Sequence, residues 1–238
     1  MKWFCLFLIT FSASHVLHIP AQKFFIVWNV GQGQWTTAVT PNACYHFDMG
    51  GEFFPMGKIL QQCRLKANLA FLSHWDWDHV GGLQKVKKNL PLCIGLRPLG
   101  PASKKKRRLL AGFSDCDKKS IPELYKWQPR GFKNANEQSQ VILYNQVLLP
   151  GDSPGEHEKQ WLDQSWISRT KHFILGHHGS NTSTSMELLK RLPDGIQAIS
   201  SARWARYKHP HSSVELRLSQ ARIPLLRTED WGNIWIDQ

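Results

Sequence analysis

Ser73-His74-Trp75-Asp76-Trp77-Asp78-His79-Val80-Gly81-Gly82 places four metal-ligating side chains within six residues and closes on a pair of glycines. The run before it, Ala70-Phe71-Leu72, is short and apolar, as the end of a buried strand is, and Leu83 to Val86 begins a helical pattern. The spacing therefore predicts a strand-to-helix loop, where a rigid scaffold carries its reactive groups. If the backbone stays extended, alternation puts His74, Asp76 and Asp78 on one side, with His79 following at the turn. Imidazole combined with carboxylate suits zinc, manganese or iron. Trp75 and Trp77 predict a shaped, partly apolar wall beside these ligands. The competing reading is a solvated acidic turn with two incidental histidines, and the density of the motif speaks against it.

The same grammar recurs along the chain. Phe24 to Val30 reads as a strand ending at Gly31-Gln32-Gly33, followed by strands at Thr36 to Val39 and Tyr45 to Phe47, the turn Asp48-Met49-Gly50-Gly51 and a helix from Ile59 to Leu65. Pro98 to Asn136 is rich in charge, Pro and Gly and weakly periodic, which predicts either an excursion over the active face or a mobile segment. Gln140 to Tyr144 and Gln146 to Leu149 predict a hairpin turning at Asn145, and Pro150-Gly151-Asp152 ends it. A helix from Glu156 to Leu162 follows, then a strand from Lys171 to Leu175 that runs into Gly176-His177-His178-Gly179-Ser180. Ser185 to Leu192 and Val214 to Ala221 read as helices and Ile196 to Ser200 as a strand. Leu225 to Arg227 and Asn233 to Ile236 read as closing strands around a turn at Asp230-Trp231-Gly232. Strands mixed with helices in two halves predict an α/β fold of two packed sheets covered by helices, an αββα sandwich.

Each candidate ligand falls where a predicted strand gives way to a loop: the His74 cluster, Asp152, His177 or His178, and His209 in the stiff turn His209-Pro210-His211. Ser180 is placed to donate to a phosphate or to orient a ligand. Isolated histidines are usually structural or solvent-exposed, so His15, His18, His46, His157 and His172 receive no functional role.

The 238 residues fit one domain, residues 24–238, behind a short leader, and a 42% hydrophobic fraction is ample for a core. The net charge of +12 excludes an acidic, self-repelling chain. Joined to a carboxylate-rich cluster, it invites a polyanionic substrate, with a generally basic surface as the alternative. Lys104-Lys105-Lys106-Arg107-Arg108 is the densest positive run, suited to phosphate contacts or to a solvated face. Residues 1–14, with Lys2, an apolar stretch from Trp3 to Phe11 and small residues after it, have the pattern of a secretory signal peptide whose boundary extends to about residue 22. An uncleaved anchor or a buried first strand is the competing view. The apolar stretch is too short to span a bilayer, and no other segment approaches that length, so no integral membrane domain is expected in the mature chain. Cys5 leaves with the leader. Cys44, Cys63, Cys93 and Cys116 either form disulfides, in any of three pairings, or remain buried thiols.

Taken in order, these motifs resemble the metallo-β-lactamase superfamily, and within it the ComEC-type competence proteins. Asn29-Val30-Gly31-Gln32-Gly33-Gln34 stands where that family has D-V-G-Q-G-D, and Asp48-Met49-Gly50-Gly51 matches its D-x-G-G turn. His74 to Leu83 matches H-x-D-x-D-H-x-G-G-L, in which aspartate replaces the second superfamily histidine. Leu148 to Asp152 matches L-L-T-G-D, Gly176 to Ser180 contains H-H-G-S, and Ala205 to His211 is similar to N-x-Y-G-H-P-H. Arg227 to Gly232 resembles the family's final hairpin. The resemblance covers residues 24–238 and implies the four-layer metallo-β-lactamase sandwich and two divalent metal ions, manganese or zinc, with aspartate shifting preference toward manganese.

It further implies that His74 and Asp76 hold one metal and that Asp78 and His79 hold the other. Asp152 would bridge them, and either His177 or His178 would complete a site. His209 would donate to a phosphate or protonate a leaving oxygen. Ser180, Arg203, Arg206, Tyr207, Lys104, Lys105 and Arg107 would contact substrate, and Trp75 or Trp77 would stack on a base. Larger family members join this domain to a membrane channel for DNA uptake, for which this sequence shows no segments. The expectation is therefore a free-standing exported protein, periplasmic or secreted, that hydrolyses phosphodiesters of DNA with a two-metal-activated water. The alternatives are a metallo-hydrolase of a small ester, lactam or phosphodiester, and a non-catalytic DNA-binding protein. Asn29, Gln34 and Ala205 depart from the family pattern and remove polar groups from the surroundings of the site.

Overall fold

The computed structural model describes residues 23–238. The leader predicted at residues 1–14, with Cys5, and His15 and His18 after it lie outside the described residues.

Five strands come first in chain order: β1 (Phe24–Val27), β2 (Trp35–Val39), β3 (Ala43–Met49), β4 (Ala67–Phe71) and β5 (Cys93–Leu96). The second half contributes β6 (Tyr125–Trp127), β7 (Val141–Tyr144), β8 (Val147–Leu149), β9 (His172–Ile174), β10 (Gln197–Ser200) and β11 (Leu225–Arg227), and the chain closes with β12 (Ile234–Asp237). One sheet has the order β12-β1-β2-β3-β4-β5 and the other β11-β10-β9-β8-β7-β6. The helices are α1 (Met56–Cys63), α2 (Trp77–Val80), α3 (Leu83–Asn89), α4 (Lys104–Leu110), α5 (Gly155–Trp161), α6 (Met186–Arg191), α7 (Trp204–Tyr207), α8 (Ser212–Gln220) and α9 (Thr228–Trp231).

Three apolar layers account for the sandwich. Phe25, Val27, Phe47 and Phe71 from one sheet meet Ile142, Leu149, Ile174 and Ile199 from the other. On the outer face of the first sheet, Ile26, Trp28 and Ala70 pack on Ile59, Val86 and Leu110 of the helices. On the outer face of the second, Val141, Leu143 and Phe173 pack on Trp161, Leu188 and Val214. Strands buried on both faces read as continuous apolar runs, which is why Phe24 to Val27 and Val141 to Tyr144 show no polar alternation.

Two disulfides select between the alternatives left open for the cysteines. Cys44–Cys63 ties β3 to α1, and Cys93–Cys116 ties β5 to the segment that follows α4. The hairpin expected at Asn145 is present, with Asn145 and Gln146 both at positive φ (43° and 72°), as a tight primed turn requires.

The segment 98–136 is partly regular. Ser103 caps α4 through the Lys106 N–H, and β6 adds an edge strand to β7. The closing strands are not a hairpin. β11 pairs in parallel with β10 in the second sheet, whereas β12 pairs antiparallel with β1 in the first. The chain crosses between the sheets through α9, a connection that local sequence could not distinguish from a turn.

Strands β3 and β4 run parallel, as do β8, β9 and β10. Asp48 stands at the carboxyl end of β3 and Ser200 at that of β10, followed by Ser201, while the ends of β4, β8 and β9 lead into the His74 cluster, Asp152 and His177-His178. Ligand sites in α/β sheets form beyond the carboxyl ends of strands, where loops converge.

Candidate metal centre

After β4 the chain stays extended only to Asp76 (ψ 149°) and then turns into α2. The His79 and Val80 N–H groups donate to the Asp76 carbonyl at 2.9 Å each. Asp78 and His79 therefore lie on a helical turn, and the extended alternation expected for the whole cluster holds only for His74 and Asp76. The close approach of α2 to the end of β3 explains the D-x-G-G motif. A Cβ on Gly50 would overlap the Asp78 carbonyl and the His79 nitrogen.

The imidazoles are fixed from behind. The Asp48 carboxylate accepts from the Ser73 N–H (2.7 Å), the Ser73 hydroxyl (2.7 Å) and Gln34 Nε2 (3.2 Å), and it holds His79 Nδ1 at 2.8 Å. His178 Nδ1 donates to the Ser201 carbonyl at 3.0 Å, and His74 Nδ1 meets the Ser73 hydroxyl at 2.9 Å. In each ring Nδ1 is engaged, and Nε2 is left facing inward, the way hydrogen-bond partners orient metal-ligating histidines.

The inward-facing atoms surround Asp152. Its Oδ2 lies 3.7 Å from His74 Nε2 and 3.6 Å from His177 Nε2, and its Oδ1 lies 3.0 Å from His79 Nε2 and 3.7 Å from His178 Nε2. His74 Nε2 is 3.6 Å from Asp76, and His178 Nε2 is 3.2 Å from Asp78. Two compact donor sets result, His74–His79–Asp152 and Asp78–His79–His178, each with its atoms within 4.8 Å of one another. His74 Nε2 is buried without a hydrogen-bond partner, and Asp152 Oδ1 is buried with the His79 ring 3.0 Å away but no hydrogen bond of good geometry. Buried polar atoms are nearly always satisfied, and a cation shared among these nitrogens and oxygens would satisfy both. The residues present thus fit divalent metal ions.

Burial acts to raise the Asp152 carboxyl, but the adjacent His79, His178 and His74 rings outweigh it and hold it well below the usual carboxylate range. Asp78 behaves alike: burial raises it, and the His178 hydrogen bond with the His79 and His178 charges lowers it further. Asp76 is lowered by its contact with His74 and also by Lys106, whose Nζ donates to its carboxylate at 3.0 Å.

His177 and His178 both adopt left-handed backbone conformations (φ 49° and 57°). His178 is buried in the set with Asp78 and His79. His177 is partly exposed beside Asn136 Nδ2 (3.3 Å) and Thr182 Oγ1 (3.2 Å). These two residues, with Asp76 and His177, line a cleft of about 640 Å³. Gly179, at φ +88°, lets the following turn close over the site, since a Cβ there would come within 2.8 Å of Pro210. His209 consequently stands with its ring centroid 6.3 Å from that of His177, and Gln32 Nε2 donates to its Nδ1 at 3.2 Å. Burial, reinforced by His178 and His177, pushes His209 down to about 4.

The expected substrate contacts divide. Ser180 is buried, with its hydroxyl paired to Thr182 Oγ1 at 3.0 Å. Arg206 and Tyr207 are not free: the Glu52 carboxylate takes Arg206 Nη1 at 2.8 Å, the Tyr207 hydroxyl at 3.4 Å and Arg203 Nη1 at 3.3 Å. Lys104, Lys105 and Arg107 lie on α4 outside the cleft, and only Lys106 of that run reaches a candidate ligand. Trp75 is buried in the layer between helices and first sheet and forms no wall of the site, whereas Trp77 is 39% exposed. Sequence reasoning did not assign Asp48, Ser73, Gln32, Glu52 or Asn136, and it read Lys106 only as part of the basic run and not as a partner of Asp76. Only Asp48 carried a signal, the acidic residue of a glycine turn at a strand end.

The layers and the site define a metallo-β-lactamase fold. The metallo-β-lactamase fold protein YhfI from Bacillus subtilis superposes with a TM-score of 0.57 at 9% identity, covering 91% of this chain and all of that one. A diphosphatase of the PhnP family gives 0.52 at 11% identity, covering 90% and 98%. No family model matches the chain.

In sequence the chain is similar to Recombination protein 2 of Haemophilus influenzae, 27% identical over 88% of this chain and 28% of that protein. It is similar also to Competence protein ComA of Neisseria gonorrhoeae, 26% identical over 95% of this chain and 34% of that protein. The chain spans about a third or less of these relatives' length. The resemblance read from the motifs is thus matched by both sequence and fold.

Proposed function

We propose that this chain is a metal-dependent phosphodiester hydrolase that degrades DNA. The observation that carries the reading is the Asp152 carboxylate, whose two oxygens face different imidazoles, His74 and His177 on one side and His79 and His178 on the other. Such a carboxylate suits a bridge between two ions. His74, Asp76 and Asp152 would hold one, with His177 beside them, and Asp78, His79, His178 and Asp152 the other. Divalent ions held there, manganese or zinc, would supply Lewis acidity for an attacking water and offset charge on a scissile phosphate.

The chain's own groups do the rest. Asp48, Ser73 and the Ser201 carbonyl keep the rings in register. Gln32 donates to His209 Nδ1, which leaves the ring proton on Nε2. A neutral His209 in that tautomer would donate a hydrogen bond to a phosphate oxygen, the role we favour of the two read from sequence. Lys106 offsets negative charge at Asp76. The names of the relatives, recombination and competence proteins, favour DNA as substrate. Two disulfides support an oxidising compartment and hence an exported protein, periplasmic or secreted.

The test is incubation of purified protein with single- and double-stranded DNA, first after chelation and then after reloading with manganese or zinc. Cleavage is expected only with metal, and it is expected to disappear in Asp152→Ala. Bound metal without cleavage of any DNA would exclude the reading. The cleft of about 640 Å³ is also the size of a small-ligand pocket. Turnover of a small phosphodiester or other ester in that same preparation, without DNA cleavage, would establish a small-molecule hydrolase instead.

A further inference from the structure

Helices α3 and α4 diverge to leave a groove of about 930 Å³ outside the candidate metal centre, at the upper end of the range for ligand pockets (roughly 300–1,000 Å³). Lys85, Lys87 and Lys88 line it from α3, and Lys104, Lys105 and Arg108 from α4. No carboxylate lines it, and none of the six cations has an acidic partner among the described residues. Six cations facing one another across a groove, with Leu109 in its lining, repel each other in the free protein. A surface of one sign with low-dielectric walls concentrates a polyanion.

Lys105 and Lys106 link the groove to the site by way of Trp77. Lys105 Nζ lies 5.1 Å and Lys106 Nζ 5.8 Å from the Trp77 ring centroid. Trp77 is part-exposed and opens the helical turn that carries Asp78 and His79, and Lys106 itself reaches Asp76. The path from the metal centre therefore runs from Asp76 past an aromatic face to a row of cations. Stacking faces beside a backbone-tracking basic groove are the elements of single-strand nucleic-acid binding.

The geometry points to the α3–α4 groove as a binding site for a single-stranded polynucleotide held by its phosphates, with Trp77 stacking a base between groove and metal centre. This rests on the hydrolase reading for what happens at the far end of the strand, but not for the binding itself. The walls are unequal in what sequence shows: the α4 run is visible as a charge block, whereas the α3 lysines become its partners only when the helices diverge across from each other.

The experiment measures binding of a fluorescein-labelled oligothymidylate of about 20 nucleotides to the full chain in chelator, where no cleavage occurs, at several salt concentrations. The triple variant Lys85→Ala, Lys88→Ala and Lys104→Ala is expected to bind about tenfold or more weakly and to lose about 2 from the slope of log K against log salt. The matched variant Lys118→Ala, Lys119→Ala and Lys126→Ala removes the same charge from residues outside the groove and is expected to bind as the parent does. Unchanged binding in the first variant, or equal losses in both, would overturn the groove. Lysine-dependent binding to phosphatidylserine vesicles without binding to the oligonucleotide would overturn it in favour of a membrane surface. Groove-dependent binding by a protein that, with metal restored, cleaves no DNA would instead remove the hydrolase reading and leave the groove standing.

Discussion

At the scale of single residues, Asp48 shows how much of the candidate centre is built by groups outside the two donor sets. It is buried, joins Gln34, Ser73 and His79, and sits at positive φ (51°) one residue before the end of β3. Loss of a carboxylate that orients a metal-ligating histidine typically weakens metal binding by about 10–100-fold. Asp48→Ala is expected to do so with its circular dichroism spectrum intact, as read by competition with a metallochromic chelator. A spectrum and affinity equal to the parent's would remove the role. His46 is a contrasting buried histidine. Trp35 donates to its Nδ1 and its Nε2 faces Asn68 Oδ1, so it is held neutral, and burial pushes it down to about 4. Between about 4 and the ordinary value of 6.5 the unfolded chain takes a proton that the folded chain refuses. Stability supplied by neutral His46 is therefore complete above that interval and falls as pH drops through it, by on the order of 3 kcal/mol. Urea unfolding of His46→Gln, compared with the parent across that interval, is expected to show a shallower loss of stability with acid.

At the scale of elements, the segment from Arg203 to His211 is pinned from outside its own helix. Glu52, just past the D-x-G-G turn, accepts from the Gln32 N–H at 3.1 Å and from the Arg203 and Arg206 guanidinium groups. Burial acts to raise its carboxyl, and the Gln32 bond with the two arginines outweighs that and lowers it. Arg203 and Arg206 are more than a third exposed, so solvent screens each pair and the contribution to global stability is small. The consequence is local. Glu52→Ala is expected to leave the melting temperature nearly unchanged while increasing amide hydrogen exchange over residues 203–209. Unaltered exchange there would show that Pro210 packing on Gly179 fixes the segment alone.

At the scale of the whole molecule, the two disulfides brace the first sheet from both faces, Cys44–Cys63 in the layer beneath the helices and Cys93–Cys116 against the layer between the sheets. Each closes a loop of about 20 residues (separations of 19 and 23), a length for which loop-closure entropy gives about 3 kcal/mol. Urea titration with and without reductant is expected to show the reduced protein less stable by about 2–4 kcal/mol per bridge. Equal midpoints under both conditions would show that the cysteines do not brace the fold. Among the described residues no helix is long and apolar enough to cross a membrane.

Short windows of sequence already carry the candidate ligands and the strand ends that present them. A metal site needs particular residue types at strand-to-loop transitions, and His74 to His79, Asp152 and His177-His178 are local patterns. The layered α/β class is legible there for the same reason: apolar runs and helical periods are properties of short windows. Only the tertiary structure decided which atoms face one another. Asp48 and Glu52 act on residues distant in the chain, and the basic groove requires two helices to diverge. The last two strands are close in sequence yet join opposite sheets, because each completes an edge whose partner, β1 or β10, lies far away along the chain. Register, ring orientation and pairing come from packing among remote segments, which no local window contains.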